Sequence, residues 1–412
     1  MYRIQMDSYV PVPKPATTDR IVAAHYFPFW QKEAPKEEPG IRPELPRVNR
    51  ATGFDLLHDW PEDTPLMGYY DGDSPYFVDW EIKWALEHGV NCFIYCWYRN
   101  PGNVGSPVTV SDLRLGTALH KGLFHARYRD MMNFAIMYES QSTPTSREDM
   151  LGNLMPFWLD NYLTKPNYLK IDGKPVLFVY DYRHKTRDSF ASFADQRDCF
   201  EACREMARQR GLKDLIIAAE YRMDDLADIE EYKACGYDFV FSYCWDWTKP
   251  HPDDDYVVDE QIRKMRYRAD RIPEYFTCTA SCMWDPAPRF ISSPGQYNDT
   301  SFPSLWKIAP ESFREVIRRA KGIADSLPEG AVGRKLFMLD NWNEWDEGHF
   351  LLPSLEFGFG YLQAVREELT ARDNLPDYRL PDAIGCGPIN TMWDEPDLTG
   401  KPVHLKKTKK RE

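Results

Sequence analysis

Eight apolar runs, each about the length of a buried strand, alternate with amphipathic stretches between residues 21 and 371 of a 412-residue chain. The runs are "IVAAHYFPFW" (21–30), "VNCFIYCWYR" (90–99), "NFAIMYES" (133–140), "KPVLFVYDYR" (174–183), "LIIAAEYR" (215–222), "YDFVFSYCWDW" (237–247), "YFTCTASCMWD" (275–285) and "KLFMLDNW" (335–342). Helical patterns occupy 75–88, 117–128, 146–163, 191–210, 224–234, 256–270, 310–326 and 354–371. Strict alternation requires parallel strands joined by helical crossovers. Eight repeats are the signature of an α/β fold of the (β/α)8 TIM-barrel type. The rival is a doubly wound open sheet, which would want a glycine-rich phosphate loop after its first strand; "HYFPFWQ" is not one.

Local signals agree with this frame. Ser146 and Asp149 resemble a capping box, and Gly89, Gly211 and Gly236 each follow a helical run as C-terminal glycines do. The division expected is an N-terminal extension (1–20), a single barrel (21–372) and an irregular C-terminal segment with a basic tail (373–412). The first and seventh strand-to-helix loops, 31–74 and 286–309, are long and become walls of a cleft.

Charge narrows the partners. The chain carries a net charge of −13, and its one basic run is the terminal "KKTKKRE", so nucleic acid is not an expected partner. No apolar run reaches membrane-spanning length, so no membrane insertion is expected. Nine cysteines without a CxxC pair or a disulfide framework read as reduced core thiols, and "MYRIQMDSYVPVPKP" has no signal-peptide core; a cytoplasmic location is favoured, with a periplasmic or secreted one as the alternative. No cofactor is expected, and the oligomeric state is not legible.

Barrel active sites form at the C-terminal ends of the strands. Polar and aromatic residues concentrate there: His25 and Tyr26; Tyr95 and Trp97; Glu139; Asp181; Glu220; Tyr243 and Trp245; Trp284, Asp285 and, past "PAP", Arg289. Any one of them could cap a helix or pair with an arginine. Together, carboxylates and rings with few basic groups suit a neutral sugar, so an oligosaccharide or polysaccharide is the expected substrate. The four tryptophans Trp97, Trp245, Trp284 and Trp345 are expected as walls, with Tyr26, Tyr95 and Tyr243 at the floor.

The densest cluster is "LDNWNEWDEGHF" (339–350), which contains Asn343, Glu344, Trp345 and Glu347. Glu344 and Glu347 are three residues apart just past the eighth strand, so a turn can hold their carboxyls roughly 5–9 Å apart, the range that flanks a glycosidic bond. One would protonate the leaving oxygen and the other would act as base or nucleophile. Trp342 and Trp345 could raise one pKa by lowering the local dielectric. Ordinary capping or ion pairing is the plainer use of this spacing. A metal held by Asp346, Glu347 and His349 competes, but no HExxH or HxH spacing exists. No GxSxG elbow is present.

"NWNEWDEG" followed by "PSLEFGFGYLQAV" resembles the C-terminal signature of glycoside hydrolase family 99 and its bacterial WbsX-like relatives. The likeness extends to "MGYYDGDSP…IKWALEHGVNCFIYCWYR", "IDGKPVLFVYDY" and "MWDPAPR". The resemblance implies a barrel and a metal-independent, endo-acting α-mannosidase-type glycosidase. By it, Glu344 would deprotonate the sugar 2-hydroxyl, which attacks the anomeric carbon, and Glu347 would be the acid and then the base for water. Two positions depart from the family pattern: Leu352–Pro353 where the family often has Glu–Pro, and Asp346 where family 99 tends to have His. A binding or polysaccharide-assembly protein on the same barrel is the alternative.

Overall fold

The computed structural model describes residues 9–30, 57, 60–68, 70–181, 189–245, 252–291 and 306–381. Eight parallel strands form the barrel: β1 Ile21–Tyr26, β2 Cys92–Arg99, β3 Asn133–Glu139, β4 Lys174–Tyr180, β5 Ile216–Glu220, β6 Phe239–Phe241, β7 Thr279–Ala280 and β8 Leu336–Asn341. Their order is β6-β5-β4-β3-β2-β1-β8-β7. A parallel bridge from Val240 to Phe276 joins β6 to the segment entering β7, which brings the ends of the sheet together. The fold is the (β/α)8 barrel.

Among the helices outside the sheet are α1 Pro75–Glu87, α2 Phe193–Gln209, α3 Ile229–Ala234, α4 Asp254–Arg271, α5 Ala287–Ile291, α6 Pro310–Ser326 and α7 Gly360–Leu369. Between β3 and β4, residues 147–163 form a run of α and π turns, opened by the expected cap in which the Ser146 hydroxyl accepts from the Asp149 amide. The stretch 117–128 does not make a regular helix. It forms a π turn, Ala118–Gly122, and then a 3-10 turn, Leu123–His125. Gly122 packs its bare Cα against the Gly72 carbonyl, where a Cβ would collide.

The run 275–285 divides. Thr279–Ala280 stays in the barrel, while Met283–Trp284 pairs antiparallel with Trp306–Lys307. The rest of the first and seventh loops lies largely outside the described residues, as does the basic tail. Residues 9–20 and 373–381 both pack on α1: Tyr9 Oη donates to Asp79 (2.5 Å), and Asn374 Nδ2 donates to the Glu87 carbonyl (2.9 Å). The eight described cysteines are buried free thiols, and among the described residues no helix is long and apolar enough to cross a membrane.

Strand parity positions the site. Successive strand side chains point to opposite faces, so alternate residues enter the barrel and the rest meet the helices. On β2 the inward set ends in Cys96 and Tyr98, and on β3 it ends in Met137 and Glu139. Tyr95, Trp97 and Tyr138 take the outward parity and are buried under the helical layer.

Candidate active site

A cavity of about 470 Å³ opens at the C-terminal ends of the strands. Phe27 and Phe29 line it after β1, Cys96 and Tyr98 from β2, Met137 and Glu139 from β3, and Tyr180 from β4; Tyr243 follows β6 and Arg289 follows β7. Beyond β8 come Glu344, Asp346 and Glu347.

The last three sit on a tight hairpin. Asn343–Glu344 pairs antiparallel with His349–Phe350, and Trp345–Glu347 forms one 3-10 turn between them. Gly348 closes the turn in the left-handed region at φ 57°, with its Cα pressed on the Asp285 carbonyl, so a side chain there would meet both strain and collision. In this register Glu344 faces His349 across the hairpin.

The two glutamates are bridged on both edges. On one edge, Arg289 Nη2 lies 3.3 Å from Glu344 Oε1, and Nη1 contacts Glu347 Oε1. On the other, His349 Nε2 lies 2.8 Å from Glu344 Oε2 and 3.5 Å from Glu347 Oε2. The 2.8 Å contact is an ion-pair approach whose angle is poor for a hydrogen bond. Asp340 Oδ1 holds the opposite ring nitrogen at 2.8 Å, and Tyr243 Oη donates to Glu344 Oε2 at 2.7 Å. Asp346 grips Arg289 side-on, through Nε (2.7 Å) and Nη2 (3.1 Å).

These contacts split the pair electrostatically. Burial, then repulsion from Glu347, pushes the Glu344 carboxyl up from its ordinary value. Burial acts on Glu347 too, but Arg289 and His349 overcome it and hold that carboxyl down at about 2. Burial alone would lower His349; Glu344 and Asp340 reverse this and keep it an imidazolium. Among the described residues, Glu344, Glu347 and His349 present donor atoms within 4.8 Å of one another, close enough to take a metal ion. Arg289 and the imidazolium already bring two positive charges to those oxygens, so the carboxylates are compensated without one.

The other expected site residues separate into two groups. Glu139 and Tyr243 line the cavity. Glu139 is tied into its own loop, accepting from the amides of Gln141 (2.9 Å) and Ser142 (3.2 Å). The rest do not line it. Trp97 donates to Tyr162 Oη (3.1 Å) and packs on Trp158. Trp245 donates to the Thr279 carbonyl (3.0 Å) beneath Arg268 and Lys264 of α4. Trp345 packs on Phe350 and donates to Tyr70 (3.2 Å). Trp284 is half-buried in the outer β-pair with Trp306.

Tyr26 stacks on Tyr95 and donates to Glu81 (2.8 Å) on the outer face. Asp181 accepts from Tyr237 (2.7 Å), and Glu220 lies buried 3.0 Å from Arg222. Asp285 accepts from the Ala287 amide at the start of α5. His25 is fully buried inside the barrel, 4.6 Å from the Tyr243 ring centroid. Asn343 Oδ1 accepts from the Phe27 amide (2.8 Å), stitching the β1 end to the hairpin. The expected tryptophan walls are therefore replaced by Phe27, Tyr98 and Tyr180, because the tryptophans carry the wrong parity or pack into the layer outside. Arg289, Asp346 and His349 join the pair, and Tyr98 could have been found by counting inward positions along β2 from Cys96.

The architecture matches solved glycosidase barrels. The GH99 endo-α-mannosidase from Bacteroides thetaiotaomicron, solved with BIS-TRIS-propane, superposes with a TM-score of 0.53 at 14% identity over 85% of this chain and 96% of that one. A glycoside hydrolase-like protein gives 0.57 at 15% identity, over 89% and 99%. Among curated proteins, the uncharacterized protein WxcX of Xanthomonas campestris pv. campestris is 22% identical over 335 residues, 76% of this chain. The chain spans less than half the length (44%) of that relative. The family model described as glycosyltransferase WbsX matches residues 135–365, more than half of the chain and the whole of the Glu344–His349 hairpin. The chain belongs to the WbsX family.

Proposed function

We propose that the chain is a glycoside hydrolase that cleaves an α-linked glycan, of mannose type and in endo fashion, with Glu344 and Glu347 as its acid/base pair and without a metal. One observation carries this reading. Two carboxylates, one buried and one partly so, hold oxygens within 4.8 Å of each other and border an open cavity whose other walls are aromatic and polar. A gap of at most 4.8 Å between oxygens is compatible with the roughly 5 Å carboxyl spacing of retaining enzymes. Phe27, Tyr98 and Tyr180 offer ring faces for a sugar, and Glu139, Gln141 and Ser142 offer polar edges. The shared barrel with an endo-α-mannosidase supports the substrate class.

A second reading draws on the family's description as a glycosyltransferase. The same pair could pass the glycosyl group to a sugar hydroxyl instead of water. A third leaves the cleft as a binding or assembly surface without turnover. A polysaccharide digestion screen with product analysis separates the three: shortened products support hydrolysis, extended products support transfer, and binding without product supports the third. Replacement of Glu344 or Glu347 by Gln should abolish product formation. Retained turnover in both variants would remove the assignment.

A further inference from the structure

The loop that follows β2 carries a cation to the cavity wall, away from the hairpin. Residues 100–106 wrap on Arg99, whose Nη2 donates to the Asn103 and Ser106 carbonyls (both 2.6 Å) and whose Nη1 pairs with Asp149. Asp149 also accepts from the Gly105 amide (3.1 Å). Both partners of this ion pair are buried, a costly anchor that holds the loop by hydrogen bonds on each side. The chain then returns as a short antiparallel strand, Leu113–Arg114, in which Arg114 lies opposite Tyr98.

The return ends in strain. Leu115 sits in the left-handed region at φ 59°, a conformation that is unfavourable for a leucine. Gly116 follows with its bare Cα packed on Leu113, where a Cβ would collide. Such strain persists only where the surroundings impose it, and here it accompanies the entry of Arg114 and Leu115 into the cavity lining.

The cross-strand register puts the Arg114 guanidinium over the Tyr98 ring, 5.1 Å from its centroid. The Tyr98 ring lies 6.4 Å from that of Phe27, and Phe27 lies 5.5 Å from the guanidinium of Arg289. Two aromatic rings therefore stand between the two guanidinium groups that line the cavity. Arg289 is gripped by the three acids of the hairpin and belongs to the glutamate pair. Arg114 addresses the neighbouring length of the cleft. Glu139, on the adjacent strand, turns its carboxylate to its own loop: to the Gln141 and Ser142 amides and the Ser142 hydroxyl. A guanidinium stacked over a ring keeps its N–H edges for an acceptor beside it, and those edges match a two-oxygen anion best.

We propose that Arg114 and Tyr98 form a subsite for an acidic sugar. The residue next to the scissile linkage carries an oxyanion, a carboxylate or a phosphate, which the Arg114 guanidinium binds beside the Tyr98 ring. The proposal rests on the glycosidase reading of the cleft and deepens it, because composition pointed to a neutral substrate. The Arg99–Asp149 anchor and the left-handed Leu115 position the cation; they do not touch the sugar's charge.

The test uses three probes: an α-linked mannobiose, the same disaccharide with its non-reducing residue oxidised to the uronate, and the same disaccharide as its 6-phosphate. Calorimetric titration of the full chain at low salt reads an affinity for each. At least one anionic probe should bind about tenfold more tightly than the neutral disaccharide, the scale of one charge-assisted hydrogen bond. A gain for one anion alone identifies the oxyanion. The gain should shrink as added salt screens the pair. Arg114→Gln should abolish the preference and leave the affinity for neutral mannobiose close to wild type, while Arg114→Lys should keep part of it. The wild-type comparison needs no variant, so it decides the matter even if a substitution unsettles the loop.

Equal affinity for the three probes overturns the acidic subsite and spares the glycosidase reading, as does binding of none of them by a chain that cleaves a neutral glycan. A preference that survives Arg114→Gln overturns the assignment to Arg114. A preference that disappears in Arg114→Gln, with no product from any glycan in the digestion screen, keeps the subsite and sinks the hydrolytic reading. Binding of none of the probes and cleavage of no glycan removes both.

Discussion

Two acids are buried on opposite sides of the same chain segment, and they live differently. Glu344 looks into the cavity among charges: Arg289, the His349 imidazolium and a second carboxylate. Glu81, on α1, lies behind the hairpin among neutral donors: Tyr26 Oη at 2.8 Å and Trp342 Nε1 at 3.3 Å, with Tyr70 beside them. Burial pushes both carboxyls up, Glu81 to about 8. Neutral donors satisfy a carboxylic acid in place and make it a structural post. Opposed charges poise a carboxylate to exchange its proton. Burial alone does not mark a catalytic acid; the company it keeps does.

The largest expected effect tests the charged side. Glu344→Gln or Glu347→Gln should lower turnover of an active substrate by about 10²–10⁴-fold while leaving the melting temperature close to wild type. A loss under about tenfold in both would mean that the charged environment is as structural as the neutral one.

The neutral side should answer in stability. Glu81→Ala leaves the Tyr26 and Trp342 donors facing a buried void and should cost on the order of 3 kcal/mol in chemical denaturation. Glu81 has a folded pKa raised above its unfolded value, so its contribution is complete below about pH 4.5 and drains away as pH rises towards about 8. Wild-type stability should therefore fall across that window by a few kcal/mol, and Glu81→Gln should flatten the slope. An unchanged slope would show that Glu81 is ionised in the fold.

Strand parity makes a finer comparison between adjacent residues. Tyr98→Ala should reduce kcat/KM by roughly tenfold with little change in stability, because Tyr98 lines the cavity. Trp97→Phe should do the reverse, costing about 1 kcal/mol and sparing kcat/KM, because its indole lies under the helices on Tyr162. Equal effects on kcat/KM would break the parity assignment.

The smallest effect expected is none. Turnover should be unchanged by strong chelation, since Arg289 and His349 already balance the carboxylates. Loss of activity restored by one divalent ion would transfer Glu344, Glu347 and His349 to a metal site.

The barrel was legible because its cause is periodic. Eight apolar runs and their crossovers repeat in the sequence, and strand and helix differ in period. The i,i+3 glutamates were legible because their proximity is local. What escaped was set by facing directions and by distant loops. Trp97 and Cys96 are neighbours in sequence, yet only the cysteine reaches the cavity. Strand ends rich in tryptophan therefore misdirected the wall assignment towards the core. Arg289 lies 55 residues from Glu344, and nothing in "MWDPAPR" says that its guanidinium returns across the barrel mouth to three acids of one hairpin.

That hairpin closes on itself within a few residues, through the Glu344–His349 pairing and the left-handed turn at Gly348. The spacing of the two carboxylates is thus set inside one short piece of chain, not by the relative placement of separate strands. The cavity walls, by contrast, come from the ends of several strands and from loops spread around the rim. Evolution can then rewrite the rim loop by loop while the reacting groups keep their distance, and a lineage on this scaffold can change which glycan it accepts without relearning how to break a bond.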